Sequence, residues 1–130
     1  MRTRKVHIVI AIILSLLLLS NVLAEGKILR FTYISAVSAK LSISGSTATV
    51  SGMIIPDSNY ATDVTVRLQK LESNGTWSTV ASWSDSNSAG YSSAGGSATI
   101  TAGETYRTYT IGHVYDGDGN VIDTGTAYKY

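Results

Sequence analysis

After Ala24 the apolar residues of this chain recur at every second position, and no stripe at the helical interval runs for more than two turns. Leu41 and Ile43 alternate with Lys40, Ser42 and Ser44. Ala48, Val50, Gly52 and Ile54 alternate with Thr49, Ser51 and Met53, and Val64, Val66 and Leu68 with Thr65, Arg67 and Gln69. A period of two sends successive side chains to opposite faces, so each run predicts an antiparallel strand with one buried and one wet face. An all-β fold follows.

Turn chemistry lies between the runs. Ser44-Gly45-Ser46 separates the first pair and Pro56-Asp57-Ser58-Asn59 the second, while Asn74-Gly75 marks a tight hairpin because both residues tolerate positive φ. Asp116-Gly117-Asp118-Gly119-Asn120 makes a further reversal. The tract from Ser82 to Gly96 is poor in apolar residues and rich in Ser, Gly and Asn, and reads as a long flexible crossing. Seven strands are expected, at about 33–44, 47–55, 63–72, 76–84, 97–101, 105–115 and 121–129. Strands at this spacing predict two packed sheets, with a closed barrel as the alternative.

The first 24 residues obey a different rule. Arg2, Arg4 and Lys5 precede an apolar run from Ile8 to Leu19 that only Ser15 interrupts, and Val22 and Ala24 fit the small-residue positions before a signal-peptidase cut. This predicts a signal peptide at 1–24, a lead-in at 25–32 and one domain at 33–130. A retained anchor is the rival reading, since Val6–Ala24 is near the shortest length that spans a bilayer. The polar Ser20 and Asn21 favour cleavage before Glu25, export to the extracellular space and no stable membrane insertion. From Glu25 onward seven basic residues stand against nine acidic ones, a net charge of −2 with no Lys/Arg cluster. Phosphate backbones need a concentrated basic patch, so nucleic acid is excluded as a partner. There is no cysteine, which removes disulfides and thiolate metal sites and leaves the apolar core to hold the domain. In its short apolar leader and lack of cysteine the chain resembles small secreted proteins of Gram-positive bacteria.

One local motif is more specific. In Ile100-Thr101-Ala102-Gly103-Glu104-Thr105-Tyr106 an apolar residue is followed by Gly103 and, three residues later, by Tyr106. This resembles the corner before the sixth strand of fibronectin type III and related immunoglobulin-like domains. The resemblance implies a seven-stranded antiparallel β-sandwich in which the Tyr106 hydroxyl bonds back to the corner backbone. Ala102 stands where the corner usually has proline, and both tryptophans fall on the fourth strand rather than the second or third.

Chemistry is sparsely provided for. His113 is the one histidine after the leader, no Gly-x-Ser-x-Gly occurs, and no spacing selects a carboxylate pair, so the chain reads as a non-enzyme without a cofactor. Asp116, Asp118 and Asn120 alternate as in the start of a calcium loop, but Val121 and Ala127 stand where an EF-hand needs glycine and a bidentate glutamate. The expectation is an ordinary hairpin loop and no metal. The aromatic residues carry the functional reading. If Tyr106 faces the core, Thr108, Thr110, Gly112 and Val114 do too, and Arg107, Tyr109, Ile111, His113 and Tyr115 face outward. The opposite register, with Tyr109 and Ile111 in the core, is equally open, because Thr and Gly fill a core poorly. In the first register Tyr109, His113 and Tyr115, with Arg67 of the neighbouring strand, form a candidate binding face for an extracellular glycan or protein, so the chain is expected to be a secreted binding or adhesion module that takes carbohydrate, with a protein-interaction or structural factor lacking sugar affinity as the alternative. Trp77 and Trp83, six residues apart, are expected to share one face as hairpin packing.

Overall fold

The structure is a computed structural model and describes residues 31–130; the expected leader, its cleavage point and most of the lead-in lie outside the described residues. Seven antiparallel strands make two sheets: β1 (Ile34–Ser44), β2 (Thr47–Pro56), β3 (Ala61–Leu71), β4 (Trp77–Asn87), β5 (Ser92–Thr99), β6 (Tyr106–Tyr115) and β7 (Val121–Lys129). One sheet has the order β1-β2-β5 and the other β4-β3-β6-β7. The sheets pack face to face as a β-sandwich, and the described residues contain no helix.

The alternation read from the sequence is the alternation of burial. Ala48, Val50, Gly52 and Ile54 of β2 and Thr62, Val64, Val66 and Leu68 of β3 point inward. Val64, Val66, Leu68, Ile54 and Val114 are sealed from solvent at the centre, with Tyr106 and Ile100 closing the lower end. Burying one such aliphatic side chain contributes roughly 1.5–3 kcal/mol, so this stripe is the main cohesive element of a domain without disulfides. The sheets are also tied by polar groups at the opposite end. The Thr62 hydroxyl donates to the Gly90 carbonyl (2.6 Å), and Ser92 Oγ donates to the Thr62 carbonyl (3.1 Å).

Three expectations are corrected. Ser82–Gly96 is not a flexible crossing, and the fifth strand is not confined to 97–101: β4 runs on to Asn87 and β5 begins at Ser92, pairing with β2 from Ile54↔Ser92 to Thr47↔Thr99. The small residues are there for clearance. A Cβ at Gly96 would lie 2.3 Å from the indole nitrogen of Trp83, so only glycine lets the ring lie across the strand. Nor do the tryptophans share a face. β3 and β4 slip register between Leu68↔Ala81 and Gln69↔Thr79, leaving Val80 as an extra residue. This bulge reverses the alternation. Trp83 packs against the core, whereas Trp77 emerges on the outer surface beside Arg107.

Candidate functional site

The register of β6 is the one with Tyr106 inside. Tyr106, Thr108, Thr110, Gly112 and Val114 are buried, and the alternate residues Arg107, Tyr109, Ile111, His113 and Tyr115 are half-buried on the outer face. Small residues fill this core because large ones from the facing sheet reach into the space they leave. Ile54 occupies the position a side chain at Gly112 would take, and the Thr108 hydroxyl donates to the Lys40 carbonyl (3.0 Å). At the corner, Gly103 adopts φ 85°, a left-handed conformation suited to glycine. The Thr101 N–H donates to the Tyr106 hydroxyl oxygen (2.9 Å).

On the outer face the pairing sets residues in rows: Arg67 beside Tyr109 beside Tyr128, then Thr65 beside Ile111 beside Thr126, then Asp63 beside His113 beside Thr124. The four predicted site residues lie on this one face but divide into two clusters. Arg67 and Tyr109 belong to the lower one. The Tyr109 and Tyr128 ring centres are 4.8 Å apart with planes 14° apart, an offset stack in which each ring covers one face of the other. The Arg67 guanidinium lies 5.9 Å from the Tyr109 ring centre, and that of Arg107 lies 4.6 Å from Tyr128 and 4.3 Å from Trp77. Arg107 is fixed further by donating from Nε to Gln69 Oε1 (2.8 Å) and from a terminal nitrogen to the Tyr130 hydroxyl (3.3 Å). Each cation–π contact at a partly exposed site contributes about 0.5–1 kcal/mol. The result is a ladder running Arg67, Tyr109, Tyr128, Arg107, Trp77. Among the described residues neither arginine is within salt-bridge distance of a carboxylate.

His113 and Tyr115 form the upper cluster around Asp63. A carboxylate oxygen accepts, so the His113 Nδ1 carries the proton and donates to Asp63 Oδ1 (2.6 Å). The Tyr115 hydroxyl donates to the other carboxylate oxygen. That hydrogen bond, with partial burial and the negative charge behind it, raises the Tyr115 pKa above its ordinary value. Farther up, Asp116 turns its carboxylate onto its own loop, accepting from the backbone N–H groups of Asp118 and Asn120 (both 2.9 Å). The Asn120 bond is the main reason its carboxyl is held below the usual aspartate range.

Asp63, Arg107, Tyr128, Tyr130 and Trp77 are the members of the face that the sequence reading did not assign to it as binding residues. A signal existed for two of them. Extending the alternation of β3 back from Arg67 and Thr65 puts Asp63 on the outer face, and aligning the last two strands across the Asp116–Asn120 loop puts Tyr128 opposite Tyr109.

No family profile matches this sequence, and neither does any curated protein. Solved structures with partial likeness include a β-glucuronidase from Ruminococcus gnavus in complex with D-glucuronic acid (17% identity, TM-score 0.38). A Lactobacillus rhamnosus β-glucuronidase (11%, 0.42) and a β-glycosidase from Bacteroides vulgatus (14%, 0.45) also align. They cover 73%, 73% and 72% of this chain, which spans only 15%, 15% and 12% of theirs. The assignment of the site rests on its own geometry.

Proposed function

We propose that this chain is a secreted, non-catalytic binding module of the immunoglobulin or fibronectin type III kind, and that the outer face of its four-stranded sheet receives a protein partner. The observation that carries this reading is the ladder of Arg67, Tyr109, Tyr128, Arg107 and Trp77. Tyr, Trp and Arg are the residue types enriched at the energetic centres of protein interfaces. Here they are stacked in advance, so binding would freeze few additional rotamers. The face-to-face overlap also bears on the choice of partner. A sugar ring needs an open aromatic face, whereas Tyr109 is met by Tyr128 and Arg67, and Tyr128 by Tyr109 and Arg107. The strand order β1-β2-β5 over β4-β3-β6-β7 and the Tyr106 corner support the fold type, and the leader supports export.

A glycan partner is the second reading, favoured by one observation: Tyr130, at the end of the ladder, is 70% exposed. The two are separated by presenting the wild-type protein and Tyr109→Ala/Tyr128→Ala to a glycan array and to a panel of extracellular proteins. The expected result is binding to protein ligands only, weakened at least tenfold by the double substitution, with a loss of stability of no more than about 2 kcal/mol. Binding to glycans alone would transfer the proposal to the second reading. Binding that the double variant retains in full would remove this face from consideration.

A further inference from the structure

The ionisable groups of the described domain are segregated along its long axis. The register fixes the position of each. β3 starts level with the end of β6 at Ala61↔Tyr115, and β1 starts level with the end of β2 at Ile34↔Pro56, which defines one end of the sandwich. The loops of that end meet, since Asn59, Tyr60, Ser88, Tyr115 and Asp116 line a common hollow of about 390 Å³. Six of the domain's eight acidic residues lie at or toward this end: Asp57, Asp63, Asp85, Asp116, Asp118 and Asp123. All five basic residues, Lys40, Arg67, Lys70, Arg107 and Lys129, lie in the other half, with Glu72 and Glu104. One end of the domain therefore carries −6 and the other +3, counting His113 as neutral. The six residues that precede Phe31 in a chain cut before Glu25 add a net +1 and leave the asymmetry in place.

We infer that the arginine face of one copy binds the acidic end of a second copy of this chain, in a head-to-tail contact. This rests on the proposal that the outer sheet face is a protein-binding surface, and it names the partner. Three observations support a second copy. Among the described residues Arg67 and Arg107 have no carboxylate within salt-bridge distance, yet Arg67 lies over the Tyr109 ring and Arg107 is held by stacking and by hydrogen bonds to Gln69 and Tyr130. At the other end, Asp57 and Asp118 are exposed in loops. The Asp116–Asn120 loop is braced from within by the Asp116 carboxylate and by the Asp116–Asn120 backbone pair (2.9 Å). Both surfaces are thus preorganised, and their charges are opposite, which favours both encounter and register. The two patches are different surfaces of one molecule, so the contact is heterologous and extends into a chain unless the rotation closes a ring.

Sedimentation velocity tests this on protein purified after expression of the full-length chain. The wild type is expected to sediment progressively faster with rising concentration at low ionic strength and to return to monomer at roughly 0.5 M salt, where charges are screened within a few ångströms. Arg67→Glu/Arg107→Glu should weaken association at least tenfold, and so should Asp57→Arg/Asp118→Arg. The second pair lies in exposed loops and keeps the test valid even if loss of the ladder unfolds the first. An equimolar mixture of the two double variants should associate again, because each supplies the charge the other's patch now lacks. A wild type that stays monomeric at every concentration, or an assembly that survives both reversals, would overturn the head-to-tail contact. If the wild type is monomeric but Tyr109→Ala/Tyr128→Ala still loses a different protein ligand, the binding face stands and only the identity of its partner is wrong.

Discussion

Thr110 sits at the centre of the sandwich with its hydroxyl sealed from solvent and without a hydrogen-bond partner. Its β6 neighbour Thr108 has one, the Lys40 carbonyl. The two threonines therefore predict opposite responses to the same substitution. Thr110→Val should raise stability by about 1 kcal/mol, because it removes an unpaired buried hydroxyl, whereas Thr108→Val should lower it by about 1 kcal/mol. Urea midpoints of the two variants read this directly, and a loss in Thr110→Val would mean that the hydroxyl finds a partner in solution. Tyr115 gives a prediction in alkali. Its hydroxyl proton is held in the folded state by Asp63, so its folded pKa lies above the unfolded value near 10.0. The folded state then binds more protons between those two values, and the stability this bond contributes is present below pH 10 and disappears as pH rises through the folded pKa. Wild type should accordingly be more stable than Tyr115→Phe at neutral pH, with the gap narrowing above pH 10. A gap independent of pH would show that the Tyr115 hydroxyl makes no such bond.

At the level of elements, β4 and β5 depend on each other through one close approach. Gly96→Ala should cost about 1–3 kcal/mol, the usual penalty for overpacking, because the new methyl meets the Trp83 indole and that ring is itself wedged against the core. Trp83→Phe in the same background should recover part of the loss, and equal stability of Gly96→Ala and wild type would mean that the ring lies elsewhere. This contact also explains why β5 was illegible. Ser92-Ser93-Ala94-Gly95-Gly96 has neither the apolar alternation nor the β-branched side chains by which a strand is recognised; its ladder with β2 makes it a strand, and its small residues leave room for the ring. By contrast β2, β3 and β6 advertised themselves, since each alternates residues of opposite polarity or size over most of its length. The bulge at Val80 was hidden for a related reason: Trp77 and Trp83 stand an even number of residues apart, and only the slip against β3 sends them to opposite faces. The candidate site was legible only as one of two registers of β6, because Thr and Gly on the buried face give no apolar signal to choose between them. Its partition into an arginine ladder and an Asp63 cluster depends on cross-strand neighbours, which spacing along one strand does not encode.

For the molecule as a whole, the leader predicts that material recovered outside the cell begins at Glu25. Intact-mass analysis would show this, and a full-length product held in the membrane would contradict it. The strand order adds a consequence in time. β2 must find β5 across all of β3 and β4, and β3 must find β6 across all of β4 and β5. Local hairpins such as β1–β2 and β3–β4 can form early, but neither completes a sheet or closes the core, and three-strand neighbourhoods arise only when β5 and β6 have arrived. Contacts so distant along the chain place such a domain among those that fold in milliseconds to seconds rather than microseconds. Were the chain exported behind its leader as proposed, β5 and β6 would be the last strands needed for either sheet, and the domain would close only once both had been delivered.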